Sequence, residues 1–159
     1  KKEILELIKQ IRELTFTLQI KSIQYDFDPH INLHIYSDGG DAFMGFSIYE
    51  FIKKNKVPIY TYIDGYIASA ATFMYLAGEK RFMNRNASVL IHQISTSFWG
   101  KFEELKDECE NTTNLMNNLI TLYTENTQIK EKKLRKLLKR ELFLTFDDCK
   151  KIGFYTDEH

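Results

Sequence analysis

Cysteine is scarce in this sequence of 159 residues: Cys109 and Cys149 lie far apart and in no metal-ligand spacing. That excludes a disulfide-rich scaffold and a cysteine-based metal cluster, and it suits a reducing cytoplasmic or organellar interior. An excess of one charge is lacking too. Twenty-two Lys and Arg balance 22 Asp and Glu, so nothing draws the chain electrostatically to nucleic acid or an anionic membrane, and neither is expected as a partner. No apolar run approaches the ~20 residues of a membrane-spanning helix. No signal peptide is recognisable, and Lys1 already falls inside a helical pattern, so an upstream segment is expected to be missing from the sequence. Internal repeats, linkers and low-complexity tracts are absent. Residues 1–159 are therefore expected to form one domain, and a hydrophobic share of 43% is ample for its core.

What is present is an alternation of helical and strand-like patterns. Ile4, Leu7, Ile8, Ile11, Leu14 and Leu18 form a helical stripe. After the turn Asp26-Phe27-Asp28-Pro29, the residues from Ile31 to Tyr36 alternate as a strand does, and Ser37-Asp38-Gly39-Gly40 ends it. A helix from about Ala42 to Lys54 leads through Pro58 to a strand, Ile59 to Ile63, which Gly65 breaks. Small and apolar residues from Ala68 to Ala77 read as a helix stopped by Gly78, and Ala87 to Ile91 as a short buried strand ending on His92. A long helix over about 101–125 carries Phe102, Leu105, Cys109, Thr112, Met116, Leu119 and Tyr123 at three-four spacing, a seam for packing on another helix, expected to lie between subunits. Cys109 falls on that seam and is read as a buried small hydrophobe. Lys130 to Arg140, with Leu134, Leu137 and Leu138 on one face, reads as a solvated helix. Thr145 to Asp148 reads as a capping box before a last helix stopped by Gly153. This order predicts an α/β architecture with largely parallel strands.

Three features bear on chemistry, and each is ordinary in isolation. Gly39-Gly40 after a strand makes a turn; Ser69 among alanines lets a helix pack closely; His92 at a strand end suits a structural role as well as a catalytic one. Their order is more telling. The glycines, Ser69 and His92 each follow a different strand, and the ends of parallel strands converge on one crevice. A serine on a strand-to-helix turn is exposed, with backbone N–H groups beside it that can face an oxyanion.

The blocks Ile31-Asn32-Leu33 through Gly40, Gly65-Tyr66-Ile67-Ala68-Ser69-Ala70, Ala77-Gly78, and Leu90-Ile91-His92-Gln93 resemble the Clp protease proteolytic subunit family (ClpP). The resemblance continues through the long helix, that family's handle, and through Arg140-Glu141-Leu142-Phe143-Leu144-Thr145 to Gly153, covering nearly the whole chain in order. It implies a ClpP/crotonase-like α/β fold of repeated ββα units with a protruding handle helix. It also implies a serine-type endopeptidase working through an acyl-enzyme, with Ser69 as nucleophile, His92 as base, Glu141 as third member, and the N–H groups of Gly40 and Ala70 as oxyanion hole. No cofactor or metal is implied in this subunit. The implied partners are copies of the chain in stacked heptameric rings making a tetradecamer, an AAA+ unfoldase ATPase of the Clp type that uses ATP, and unfolded protein or peptide substrates. The family's N-terminal axial segment is expected to be absent from this sequence.

The chain departs from the family at several positions. Glu141 stands where the family has aspartate, so its carboxylate is displaced by a methylene; Asp147 and Asp148 are nearby substitutes, Asp148 being equally suited to capping. Asp38 replaces a proline and sets a carboxylate near the expected oxyanion, which it would oppose, slowing the reaction without abolishing it. Ile94 replaces another proline and Thr96-Ser97 a glycine pair, changes that bear on substrate grip and specificity. His30 and His34 share the i, i+4 spacing of helical zinc ligands but sit across a turn and a strand, where it does not converge. Phe98 and Trp99 suit a substrate groove or an interface equally. Three alternatives follow: a catalytically silent ring subunit, a viral ClpP-like processing protease, and a crotonase-fold acyl-CoA enzyme.

Overall fold

A computed structural model describes residues 2–156. Its elements are α1 (Lys2–Tyr25), β1 (Ile31–Ser37), α2 (Ala42–Lys53), β2 (Ile59–Ala68), α3 (Ala71–Leu76), β3 (Lys80–Met83), β4 (Ser88–Leu90), α4 (Phe102–Asn126), α5 (Glu131–Leu137), β5 (Phe143–Leu144) and α6 (Phe146–Lys151). The sheet runs β1-β2-β4-β5, with β3 also pairing β2, and only β5 is antiparallel to its neighbour. Parallel pairs need crossovers, which α2 and α3 supply; both helices lie against the sheet and bury Ile48, Ile52, Phe73, Tyr75 and Leu76.

β2 corrects the sequence reading. It does not break at Gly65 but continues to Ala68, pairing β3 over Tyr60–Ile63 and β4 over Tyr66–Ala68. Between the halves its register with β1 slips, from Ile35↔Ile63 to Ser37↔Ile67. A bulge absorbs the extra residues, which is where a glycine is tolerated inside a strand. Asn84 fills the gap: its N–H donates to the Ile63 carbonyl at 3.1 Å and its side-chain amide to the Asp64 carbonyl at 3.0 Å. β3 has no counterpart in the sequence reading, because Lys80-Arg81-Phe82-Met83 is short and opens on two charges.

Two further expectations are revised. In α1, Leu14 is half exposed and Thr15 takes the inward place one turn after Ile11. In α4, the seam divides. Leu119 and Tyr123 are buried in the chain's own core, whereas Phe102, Leu105 and Cys109 are exposed in the single chain, on the part of the seam expected to lie between subunits. The cause is length: α4 runs on beyond the core, so the first half of its apolar stripe meets nothing in its own subunit. Cys149 is the buried thiol.

Candidate active site

Ser69 sits between β2 and α3 with φ +53°, a left-handed conformation costly for a side chain with a Cβ. Its surroundings hold it there. The Ser69 N–H donates to the Leu90 carbonyl at 2.9 Å, tying the turn to the end of β4. The Ser69 carbonyl accepts the Thr72 N–H at 3.0 Å and the Thr72 hydroxyl at 2.6 Å. That hydroxyl shares a 2.5 Å hydrogen bond with the buried Tyr123 hydroxyl of α4. Burial pushes the Tyr123 hydroxyl well above its ordinary pKa, against the opposing hydrogen bond from Thr72, and keeps it protonated.

The Gly39-Gly40 turn packs on the serine turn. A Cβ on Gly39 would stand 2.5 Å from the Ala68 carbonyl oxygen and 2.9 Å from Ala70 N, so only glycine fits. At Gly40 a Cβ would meet nothing; φ +146° is what calls for glycine there. Among the described residues, the N–H groups of Gly40 and Ala70 make no hydrogen bond. Both residues line a cavity of about 600 Å³ together with Ser69, His92, Phe73, Ile94 and one face of α4.

His92 follows β4 and is half buried. Its Nδ1 lies 2.8 Å from the Gln93 carbonyl oxygen. A carbonyl only accepts, so Nδ1 carries the proton and, in the neutral ring, Nε2 keeps its lone pair. The Gln93 N–H in turn donates to the Leu138 carbonyl at 2.8 Å. Among the described residues, no hydrogen bond joins Ser69 to His92, and Glu141 makes no hydrogen bond or ion pair. Glu141 precedes β5 by two residues; the pairing of β4 with β5 ends at Leu90↔Phe143, and beyond it the Gln93 N–H bonds the Leu138 carbonyl. The Glu141 charge reaches Tyr66, whose pKa is raised by burial first and then by Asp38, Tyr36 and Glu141.

The other sequence candidates are placed elsewhere. Asp148 closes the capping box of α6, exchanging hydrogen bonds with Thr145, whose hydroxyl and N–H hold its carboxyl below the usual range. His34 bonds Asp64 at 2.9 Å and stacks on Tyr62, while His30 stacks on Tyr60. Trp99 is 97% exposed. Missed by the sequence reading were Thr72, the carbonyls of Leu90 and Gln93, and the asparagines of α4 that line the cavity. For the asparagines a signal existed: Asn111, Asn114 and Asn118 recur at helical spacing.

A strained serine, a histidine with one free ring nitrogen and two unpaired N–H groups around one cavity are parts that acyl transfer uses. The family model for Clp protease matches residues 4–157. This chain belongs to the Clp protease family. Two relatives are the ATP-dependent Clp protease proteolytic subunit of Deinococcus radiodurans, 27% identical over 128 residues, and the ATP-dependent Clp protease proteolytic subunit 2 of Treponema denticola, 34% identical over 125 residues. The alignments cover 79% and 77% of this chain but 63% and 62% of those proteins, so the chain spans a little under two thirds of their length. Among solved structures, a ClpP1 mutant from Listeria monocytogenes matches with a TM-score of 0.79 at 26% identity, over 97% of this chain and 84% of that one. The mixed α/β architecture with its long α4 is thus the ClpP fold.

Proposed function

We propose that this chain is a serine endopeptidase, the proteolytic subunit of a ring-shaped, ATP-dependent Clp-like protease. The observation that carries the reading is Ser69 held at φ +53° on the rim of the cavity that also holds His92. Ser69 Oγ adds to a peptide carbonyl carbon as His92 Nε2 takes its proton. The N–H groups of Gly40 and Ala70 stabilise the oxyanion, each by ~3–4 kcal/mol. Collapse breaks the C–N bond, His92 returns the proton to the departing amine, and water releases the acyl group by the same steps. For this, the His92 ring must turn from the Gln93 carbonyl toward Ser69, and Glu141, the third member that the family resemblance implies, is the carboxylate proposed to receive Nδ1–H. The chemistry asks for no cofactor in this subunit. ATP would be used by a separate AAA+ unfoldase, a reading supported by the names of the Deinococcus and Treponema relatives. The exposed half of the α4 seam supports self-association, and stacked rings of seven follow from the family resemblance. Among the described residues no helix is long and apolar enough to cross a membrane, which fits work in a cytoplasmic or organellar interior.

The test is labelling of sedimented, assembled protein with a fluorophosphonate. The parent should label, Ser69→Ala should not, and Glu141→Ala should label ~10–10⁴-fold more slowly, the range open to a triad that loses its carboxylate. An assembled parent that stays unlabelled would replace this reading by the silent ring subunit, which the present bond from His92 Nδ1 to a main-chain carbonyl favours.

A further inference from the structure

The cavity beside Ser69 extends along α4, and its outer part has a chemistry that acyl transfer does not require. Near the serine turn its wall is apolar, formed by Phe73, Leu119 and Tyr123. Farther toward the start of α4 the same face presents Asn118, Asn114, Asn111 and Glu108. Amides both donate and accept, so the asparagines can hold a peptide main chain whatever its side chains. Charge selection is a different matter. Among the described residues no Lys or Arg lines the cavity, and the two carboxylates that do are Asp41 and Glu108. Asp41 is engaged as the N-cap of α2, accepting the Met44 N–H at 2.8 Å. Glu108 is half buried. One of its oxygens accepts the Thr96 hydroxyl at 3.1 Å, and the other makes no hydrogen bond among the described residues.

Thr96 also sets the distance. It follows His92 by four residues, and a chain spans at most about 3.6 Å per residue, so Glu108 lies within side-chain reach of a point about 14 Å or less from His92. An extended substrate covers that span in about four residues.

We propose that Glu108 is a specificity residue selecting substrates with a Lys or Arg within about four positions of the scissile bond, an inference that rests on the peptidase reading. A partly solvated ion pair of this kind is worth about a three- to fivefold preference over a neutral residue, and it weakens as salt screens it.

The experiment uses the assembled protein and a mixed peptide library, with cleavage sites read by mass spectrometry at low and high salt. Fluorophosphonate labelling of the parent is run beside it. Expected are a threefold or greater enrichment of basic residues at one position in that window, shrinking in high salt, its loss in Glu108→Gln, and its reversal toward acidic residues in Glu108→Lys. A parent that labels and cleaves without such enrichment, or an enrichment unchanged in both variants, overturns this inference and leaves the peptidase reading standing. A parent that neither labels nor cleaves overturns both.

Discussion

At the scale of single residues, Ser69 is a stability cost retained at a site of proposed chemistry. A left-handed conformation costs a residue with a Cβ ~1–2 kcal/mol relative to glycine, and the cost at φ +53° is offset by bonds to Leu90 and Thr72. Two substitutions that both remove the hydroxyl should therefore differ in stability. Ser69→Gly is expected to exceed Ser69→Ala by ~1 kcal/mol in urea unfolding; equal midpoints would mean the turn is relaxed. Much of this site is legible in the sequence because small residues beside the serine, and glycines at a strand end, answer to steric demands that few other residues meet. The partner of His92 Nδ1 is not legible, since the Gln93 carbonyl is main chain and leaves no signature in residue type. Nor could spacing alone show that, among the described residues, Glu141 makes no hydrogen bond to His92.

At the scale of elements, the two cysteines separate the part of α4 that packs from the part that does not. Cys109 is exposed, whereas burial, aided by the Asp148 charge, pushes the Cys149 thiol up to about 12. Alkylation of the folded chain dissociated from its assembly should consume one thiol quickly. The second should react at least ~100-fold more slowly and be freed by unfolding. The α6 cap gives a pH dependence of definite sign. Asp148 has a lowered carboxyl pKa in the folded chain, so its contribution is present above the ordinary carboxylate value of ~3.9 and is lost as pH falls through the folded value. Parent and Asp148→Asn should therefore differ in melting temperature near neutrality, and the gap should close on acidification; a gap that persists in strong acid would assign the loss to packing. The cap was legible because Thr and Asp three apart are its chemistry, whereas the continuation of β2 was not. Glycine is a breaker in the local pattern, and only partners from β1 and β4 keep β2 extended past Gly65.

At the scale of the whole molecule, Phe102 and Leu105 stand 70% and 45% exposed on the half of α4 that leaves the core. The proposed ring assembly would cover them with a second chain, and burying a side chain of this size stabilises an interface by ~1.5–3 kcal/mol. Leu105→Glu is expected to shift sedimentation toward smaller species, with the far-ultraviolet dichroism of the subunit retained. An unchanged sedimentation profile would place the interface elsewhere. The exchange of partners along β2 has a consequence for how such a chain can vary. The ladder with β3 and the ladder with β4 share a strand but no hydrogen bonds, and a bulge stands between them. Exposed positions in Lys80–Met83 can therefore change without breaking a main-chain hydrogen bond of the segment that seats Ser69, whereas the buried Arg81 ties β3 to α4 by donating to the Asn126 carbonyl at 2.7 Å.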